Sequence, residues 1–187
     1  MRWYWIDQFL EFERGLRAVA IKNIALDEEV LDDYLPGYPC IPFSVMIEGM
    51  AQTAGLLVAE KGGFEHRVVL AKLSKAVLHK PCVAGETLRY EATVLDIQND
   101  GAIATVSCHV GDELRAEVET MFAFLDDRFP PGPLFHPEDF AVLLRTWNIY
   151  DVGKDENGNP IEMPAFYADA ERQARAGYET GPVPLER

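Results

Sequence analysis

The chain has 187 residues, 48% hydrophobic and 26% charged, with a formal net charge of −14. Such a length and composition suit one soluble globular domain with a modest appendage and argue against disorder. The acidic balance, with no basic arm or aromatic-basic motif to offset it, excludes a nucleic-acid binder; no apolar run is long enough to span a bilayer, and the opening MRWYWIDQFLEFE lacks a signal peptide's apolar core, so a cytoplasmic location is expected.

In chain order, YWIDQFLEFERGLRAVAIKNIAL reads as two strands, because alternating apolar and β-branched residues flank a turn at Glu13–Gly15. LPGYPCIP is irregular, since Pro36, Pro39 and Pro42 each remove a backbone donor. A helix follows from Phe43 to Glu60 and ends at Lys61-Gly62-Gly63, where glycine supplies the left-handed stop. Four strand-like runs come next: RVVLAKLSKAVLHK, ETLRYEATVLDIQ, AIATVSCHV and AEVETMFAFLDD. Asn99-Asp100-Gly101 and Gly111-Asp112 are placed for tight hairpins. One long helix among antiparallel strands predicts an α+β fold whose curved sheet wraps the helix.

Beyond Asp127 the pattern changes. RFPPGPLFHP reads as a linker, EDFAVLLRTW as a short helix, KDENGNPIEMP as turns and FYADAERQARAGY as a last helix before a frayed end. Phe140, Leu143, Leu144 and Trp147 have the spacing of a face that packs onto something. The expected division is a domain over 1–126 and an extension over 127–187 packing on it. DENGN has a calcium loop's composition, but Pro160 stands where such a loop needs glycine, so an ordinary turn is expected. No internal repeat is present. Cys40, Cys82 and Cys108 are an odd set without CxxC spacing, which points to idle thiols rather than disulfides or a metal site.

The helix carries one polar stripe. Ser44, Glu48 and Gln52 are four residues apart and share a face, while nearly every other position is apolar or small. A helix apolar almost all round is buried, so Glu48 is expected to be a buried carboxylate, with a raised pKa that suits acid–base work near neutral pH. A structural carboxylate tied to an amide or an arginine is the other reading. The helix start at Phe43 and Ser44 offers backbone N–H groups able to polarise a carbonyl, and Gly37 lets a chain approach closely. Residues 61–89 hold six bases and two acids, a local charge of +4. Such a stretch is either a solvated face or a docking patch for an acidic partner or a phosphate.

YLPGYPCIPFSVMIEGMAQ, residues 34–52, resembles the signature of the (3R)-hydroxyacyl-acyl-carrier-protein dehydratases of the FabA/FabZ type, roughly H-F-P-G-H-P-x-M-P-G-x-L-x-x-E-A-x-A-Q. IDQFLEFERGLRAVAIKNI is similar to the family's opening hairpin, and LSKAVLHKPCVAGETL to its K-A-x-F-x-x-P-V-x-P-G-D-x-L segment. The resemblance covers about residues 1–126. It implies a hotdog fold, paired into a homodimer or a dimer or trimer of such dimers. It also implies a site between subunits, where a loop histidine faces the helix carboxylate of the partner and amides at the helix start hold a thioester oxygen. No cofactor is implied, because the acyl group arrives on the phosphopantetheine of an acyl carrier protein or on coenzyme A.

Carried over, Glu48 matches the carboxylate and Gln52 the glutamine one turn on; Pro36, Gly37, Pro39 and Pro42 match the loop. Three departures stand out. Tyr34 occupies the histidine position and Tyr38 the loop's second histidine position, while Phe43 replaces the glycine at the helix start, followed by Ser44. A phenol with pKa about 10 is a poor base at neutral pH where imidazole is a usable one. Lys72, Lys75, His79 and Lys80 would form the carrier-docking rim. His66, His79, His109 and His136 lie outside the signature, and none is nominated as a substitute base. Three functions stay open: a dehydratase using Glu48 with Tyr34, a thioesterase using Glu48, and a binding protein for acyl groups or their carrier.

Overall fold

The structure, a computed structural model, describes residues 4–31, 34–35, 37–132 and 134–180, with the backbone alone over 177–180. Strands β1 (Gln8–Glu13) and β2 (Arg17–Asn23) form the opening hairpin, and a 3-10 turn at Glu29–Leu31 leads towards the proline-rich loop. Helix α1 (Phe43–Lys61) is followed by β3 (Arg67–Leu78), β4 (Thr87–Ile97), β5 (Gly101–Val110) and β6 (Glu113–Leu125). The extension contributes α2 (Pro137–Thr146), α3 (Ile149–Val152), β7 (Gly153–Lys154) and α4 (Ala165–Thr180).

One seven-stranded sheet has the order β3-β6-β5-β4-β2-β1-β7. All its pairings are antiparallel except the short parallel one between β1 and β7. The sheet curls around α1 because the strands present small side chains to it: Ala18, Ala20, Ala92, Ala104 and Ala116 are buried on the inner face. Larger groups, among them Phe9, Phe12, Leu88, Tyr90, Val106 and Val118, fill the space on either side of the helix. Burial along β5 alternates residue by residue, the period-2 pattern expected of a sheet with one covered face. The helix answers with Met46, Met50, Ala54, Leu57 and Val58, all buried. A sheet wrapped on one long helix is the hotdog arrangement anticipated from the sequence.

The helix ends where glycine permits it. Gly63 takes φ +61° and donates to the Glu60 carbonyl at 2.8 Å. Phe64 follows with φ +60°, uncommon for a side chain of that bulk, and this turns its ring against Phe140 at 5.3 Å between centroids. The most buried carboxylate on α1 is Glu60, 2% exposed. Arg14, in the β1–β2 turn, grips it through Nε at 3.0 and 3.1 Å and through Nη2 at 2.6 Å.

The extension is sewn onto β1. The Phe9 amide donates to the Trp147 carbonyl at 2.8 Å, the Trp147 indole donates to the Ile6 carbonyl at 3.1 Å, and the Arg14 amide donates to the Lys154 carbonyl at 2.9 Å. Phe140, Leu143, Leu144 and Trp147, singled out by their spacing, are buried in the same apolar cluster as α1. The DENGN loop folds on itself: the Asp155 carboxylate accepts from the amides of Asn157 and Asn159 at 2.8 Å and from the Asn159 side chain at 3.1 Å.

A charged clamp joins α4 to α2. Glu171, 5% exposed, accepts from Arg145 Nε and Arg175 Nη2, each at 2.8 Å. The hydrogen bond from Arg145, with the field of both guanidinium groups, holds its carboxyl below the ordinary value. A lowered carboxylate pKa stabilises the fold above the unfolded-state value of about 4.3, and the contribution is lost as pH falls through the folded-state value. The protection factors of α4 amides, relative to those of β5, are therefore expected to fall as pH drops from about 6 towards 3. Glu171→Gln should already exchange faster at neutral pH and respond less to acid. Protection of α4 that ignores pH in the wild type would rule the clamp out.

Candidate active site

The proline-rich loop is fixed just before α1. Cys40 bridges Val83, and the Ile41 amide donates to the Cys82 carbonyl at 2.9 Å. Pro42 then caps the helix with φ −57° and ψ 138°, and no side chain caps it. The amides of Val45 and Met46 donate to the Pro42 carbonyl at 3.0 and 3.1 Å. Among the described residues, nothing accepts from the amides of Phe43 and Ser44. Two donors are thus left at the positive end of a helix of 19 residues. Ser44 is exposed, and Phe43 is half-buried with its ring against the core.

Glu48 follows on the same face. Its Oε1 accepts from Gln52 Nε2 at 2.9 Å, and Gln52 Oε1 accepts from the Trp5 amide at 2.9 Å. A relay from the chain ahead of β1 through Gln52 therefore sets where the carboxylate points. Glu48 is half-buried, not enclosed as the apolar helix led one to expect. The reason is local: its side chain opens into a cavity of about 950 Å³. The cavity runs past Ala51, Gly55, Leu56 and Ala59 of α1 to Phe64, Val68 and Phe122. The extension closes the remaining side with Phe135, Phe140, Leu143, Trp147, Phe166 and Tyr167. The carboxylate thus sits on the wall of a mainly apolar chamber, the setting in which one acid does chemistry on a greasy substrate.

Tyr34 and Tyr38 are 47% and 50% exposed, and neither belongs to the cavity wall that Glu48 joins. Gly37 lies between them with φ +80°, a conformation that suits glycine, while Pro36 lies outside the described residues. Lys72 and Lys75 are exposed on β3. Lys80 lies beyond that strand and bonds Glu113 at 3.0 Å. His79 also falls just past the strand end and meets Glu117 at 3.0 Å. The basic stretch is less positive in space than in sequence, because β6 lays Glu113, Glu117 and Glu119 beside it. Sequence reasoning also missed His66, which stacks on Phe124 at the cavity rim, and the aromatic wall supplied by the extension. The apolar spacing in α2 was the only signal for that wall.

A family model described as a FabA-like domain matches residues 4–119. The chain belongs to the FabA-like family. It is 37% identical over 119 residues to the 3-hydroxyacyl-[acyl-carrier-protein] dehydratase FabZ of Desulforamulus reducens, covering 63% of this chain and 84% of that protein. It is 34% identical over 126 residues to the FabZ of Symbiobacterium thermophilum, covering 67% and 89%. Among solved structures, a conserved protein from Pseudomonas aeruginosa matches with a TM-score of 0.54 and 21% identity over 63% of this chain and 87% of that one. A hypothetical thioesterase from Streptococcus pneumoniae matches with a TM-score of 0.52 and 11% identity over 64% and 90%. These two likenesses speak for the fold alone. The family match stops before the extension, so the FabA-like part supplies Glu48 and Gln52, and residues beyond it supply the aromatic wall.

Proposed function

We propose that this chain acts on 3-hydroxyacyl groups carried by an acyl carrier protein, as a dehydratase of fatty acid biosynthesis with Glu48 at the reacting centre. The observation that carries the reading is one carboxylate, oriented by Gln52, on the wall of a mainly apolar cavity. The two amides left at the start of α1 suit the thioester oxygen, where negative charge grows as the C2 proton leaves. Glu48 takes that proton as a carboxylate and returns it to the departing 3-hydroxyl. Water and a C2–C3 double bond result, and the proton count closes without a histidine. Tyr34 donates a hydrogen bond from the partner subunit's loop, which fits its absence from its own chain's cavity.

The homodimer forms along β3. Among the described residues that strand pairs only with β6, leaving a twelve-residue edge that exposes Leu70 and Leu78. Lys72, Lys75 and Lys80 meet the acidic carrier on this side, with Lys80 exchanging Glu113 for a carrier carboxylate.

The loss of the histidine favours one competing reading, hydrolysis of the thioester by Glu48. A mass-spectrometric assay of 3-hydroxyacyl and enoyl thioesters on a carrier protein, wild type beside Tyr34→His, separates the two. Interconversion by the wild type supports the dehydratase, whereas free thiol without enoyl product assigns a thioesterase. Turnover by Tyr34→His alone would mark the natural protein as an acyl binder on a competent scaffold. Failure of both proteins to turn over or bind any acyl carrier would overturn the proposal.

A further inference from the structure

Residues 134–167 build one side of the cavity that Glu48 enters, although they lie beyond the family match at residues 4–119. We infer that this extension is a specificity device: its aromatic wall limits the length of acyl chain the cavity accepts. The inference rests on the reading of the cavity as an acyl-thioester site.

Three observations carry it. First, the cavity has a direction. Glu48 lies in the second turn of α1 and Gln52 at its middle, and Ala59 lines the cavity eleven residues beyond Glu48, about 16 Å along the helix axis. A chain joined to a thioester at Glu48 would run along that face towards the extension. Second, the far end is walled by rings packed on one another. Phe140 meets Phe64 edge-on at 5.3 Å, Tyr167 at 5.5 Å, and stacks on Phe135 at 4.9 Å. Such a cluster is stiff, and a stiff wall discriminates where a soft one yields.

Third, polar groups of the extension's wall are tied to the domain beneath it. The Tyr167 hydroxyl donates to the Phe64 carbonyl at 3.4 Å, and the Trp147 indole donates to the Ile6 carbonyl at 3.1 Å. The Arg67 guanidinium donates to the carbonyls of Pro130 and Asp126 at 2.5 and 3.0 Å, which ties the linker to the start of β3. These bonds fasten the extension to the domain and hold the rings of the wall where they are.

The test is calorimetric binding of non-hydrolysable acyl-pantetheine thioethers carrying butyryl, octanoyl, dodecanoyl or palmitoyl chains. Phe135 and Phe166 line the cavity yet are 52% and 65% exposed, so trimming both to alanine leaves the buried core in place. Phe135→Ala/Phe166→Ala should shift the ratio of palmitoyl to octanoyl affinity by about tenfold or more towards the longer chain. Ala59→Phe, which fills the channel midway, should move the same ratio the other way. Wild-type binding with a ratio that neither variant moves would overturn the inference and leave the acyl-site reading intact. If the wild type binds none of the four probes, both readings fall.

Discussion

Glu48→Gln is expected to lower turnover of a 3-hydroxyacyl thioester by about 10²- to 10⁴-fold, the usual cost of removing a general acid–base group. The substitution keeps the shape of the side chain. Its amide oxygen can still accept from Gln52 Nε2, the bond that measures 2.9 Å in the wild type. What disappears is the charge and the proton that must pass from C2 to the leaving hydroxyl. Thermal stability should stay within about 0.5 kcal/mol of wild type, because a half-buried carboxylate is replaced by a neutral isostere. Thioester binding should persist, since the apolar wall and the helix-start amides are untouched. Full activity in Glu48→Gln, measured by enoyl product formation, would remove Glu48 from the chemistry and leave the cavity without a catalytic group. Gln52→Leu separates placement from chemistry: it should lower kcat more than it raises KM, because it frees the carboxylate from the relay that starts at the Trp5 amide.

The parts of the fold legible in the sequence are those governed by neighbours along the chain. Glycine and proline bracket α1 so tightly that its expected bounds, Phe43 to Glu60, differ from the observed Phe43–Lys61 by one residue. The alternation in β4, β5 and β6 and the turns between them are equally local. Contacts between distant segments were not legible. β7 is two residues long and exists because Gly153 and Lys154 lie parallel to Phe12 and Glu13. Glu60 belonged to the expected helix, yet nothing near it marks Arg14, 46 residues earlier, as its partner. The acids that temper the 61–89 stretch come from β6, which no window along the sequence joins to it. For the site, the order of residues was enough to find Glu48 and Gln52. It could not show that the extension completes the cavity around them.

Gly49, next to Glu48, tests whether the site depends on how closely α1 approaches the sheet. Two effects oppose each other in Gly49→Ala. Helix propensity favours alanine over glycine by about 1 kcal/mol at an interior position. Against this, a Cβ at 49 would lie 2.7 Å from the Trp5 carbonyl oxygen, 2.7 Å from the Tyr90 hydroxyl and 2.8 Å from its ring. Neither neighbour can yield easily. The Trp5 backbone is bonded to Gln52, and Tyr90 is wholly buried on β4. Overpacking of this kind costs about 1–3 kcal/mol, and with two rigid neighbours met inside 3.0 Å the upper half of that range applies, so sterics should win and the variant should lose about 1–2 kcal/mol net. For a chain of 187 residues that is a fall in Tm of roughly 2–8 °C. Activity should suffer more than stability, by about tenfold or more, because lifting α1 off Trp5 also shifts Gln52 and Glu48, and sub-ångström misplacement of a catalytic group is costly. Tyr90→Phe identifies the cause. The Tyr90 hydroxyl is buried without a hydrogen-bond partner among the described residues, so its removal alone should cost little. In the Gly49→Ala background it removes one of the clashes and should restore part of both losses. A Gly49→Ala protein as stable as wild type and fully active would mean that propensity outweighs packing here, and that the carboxylate's position does not depend on this contact.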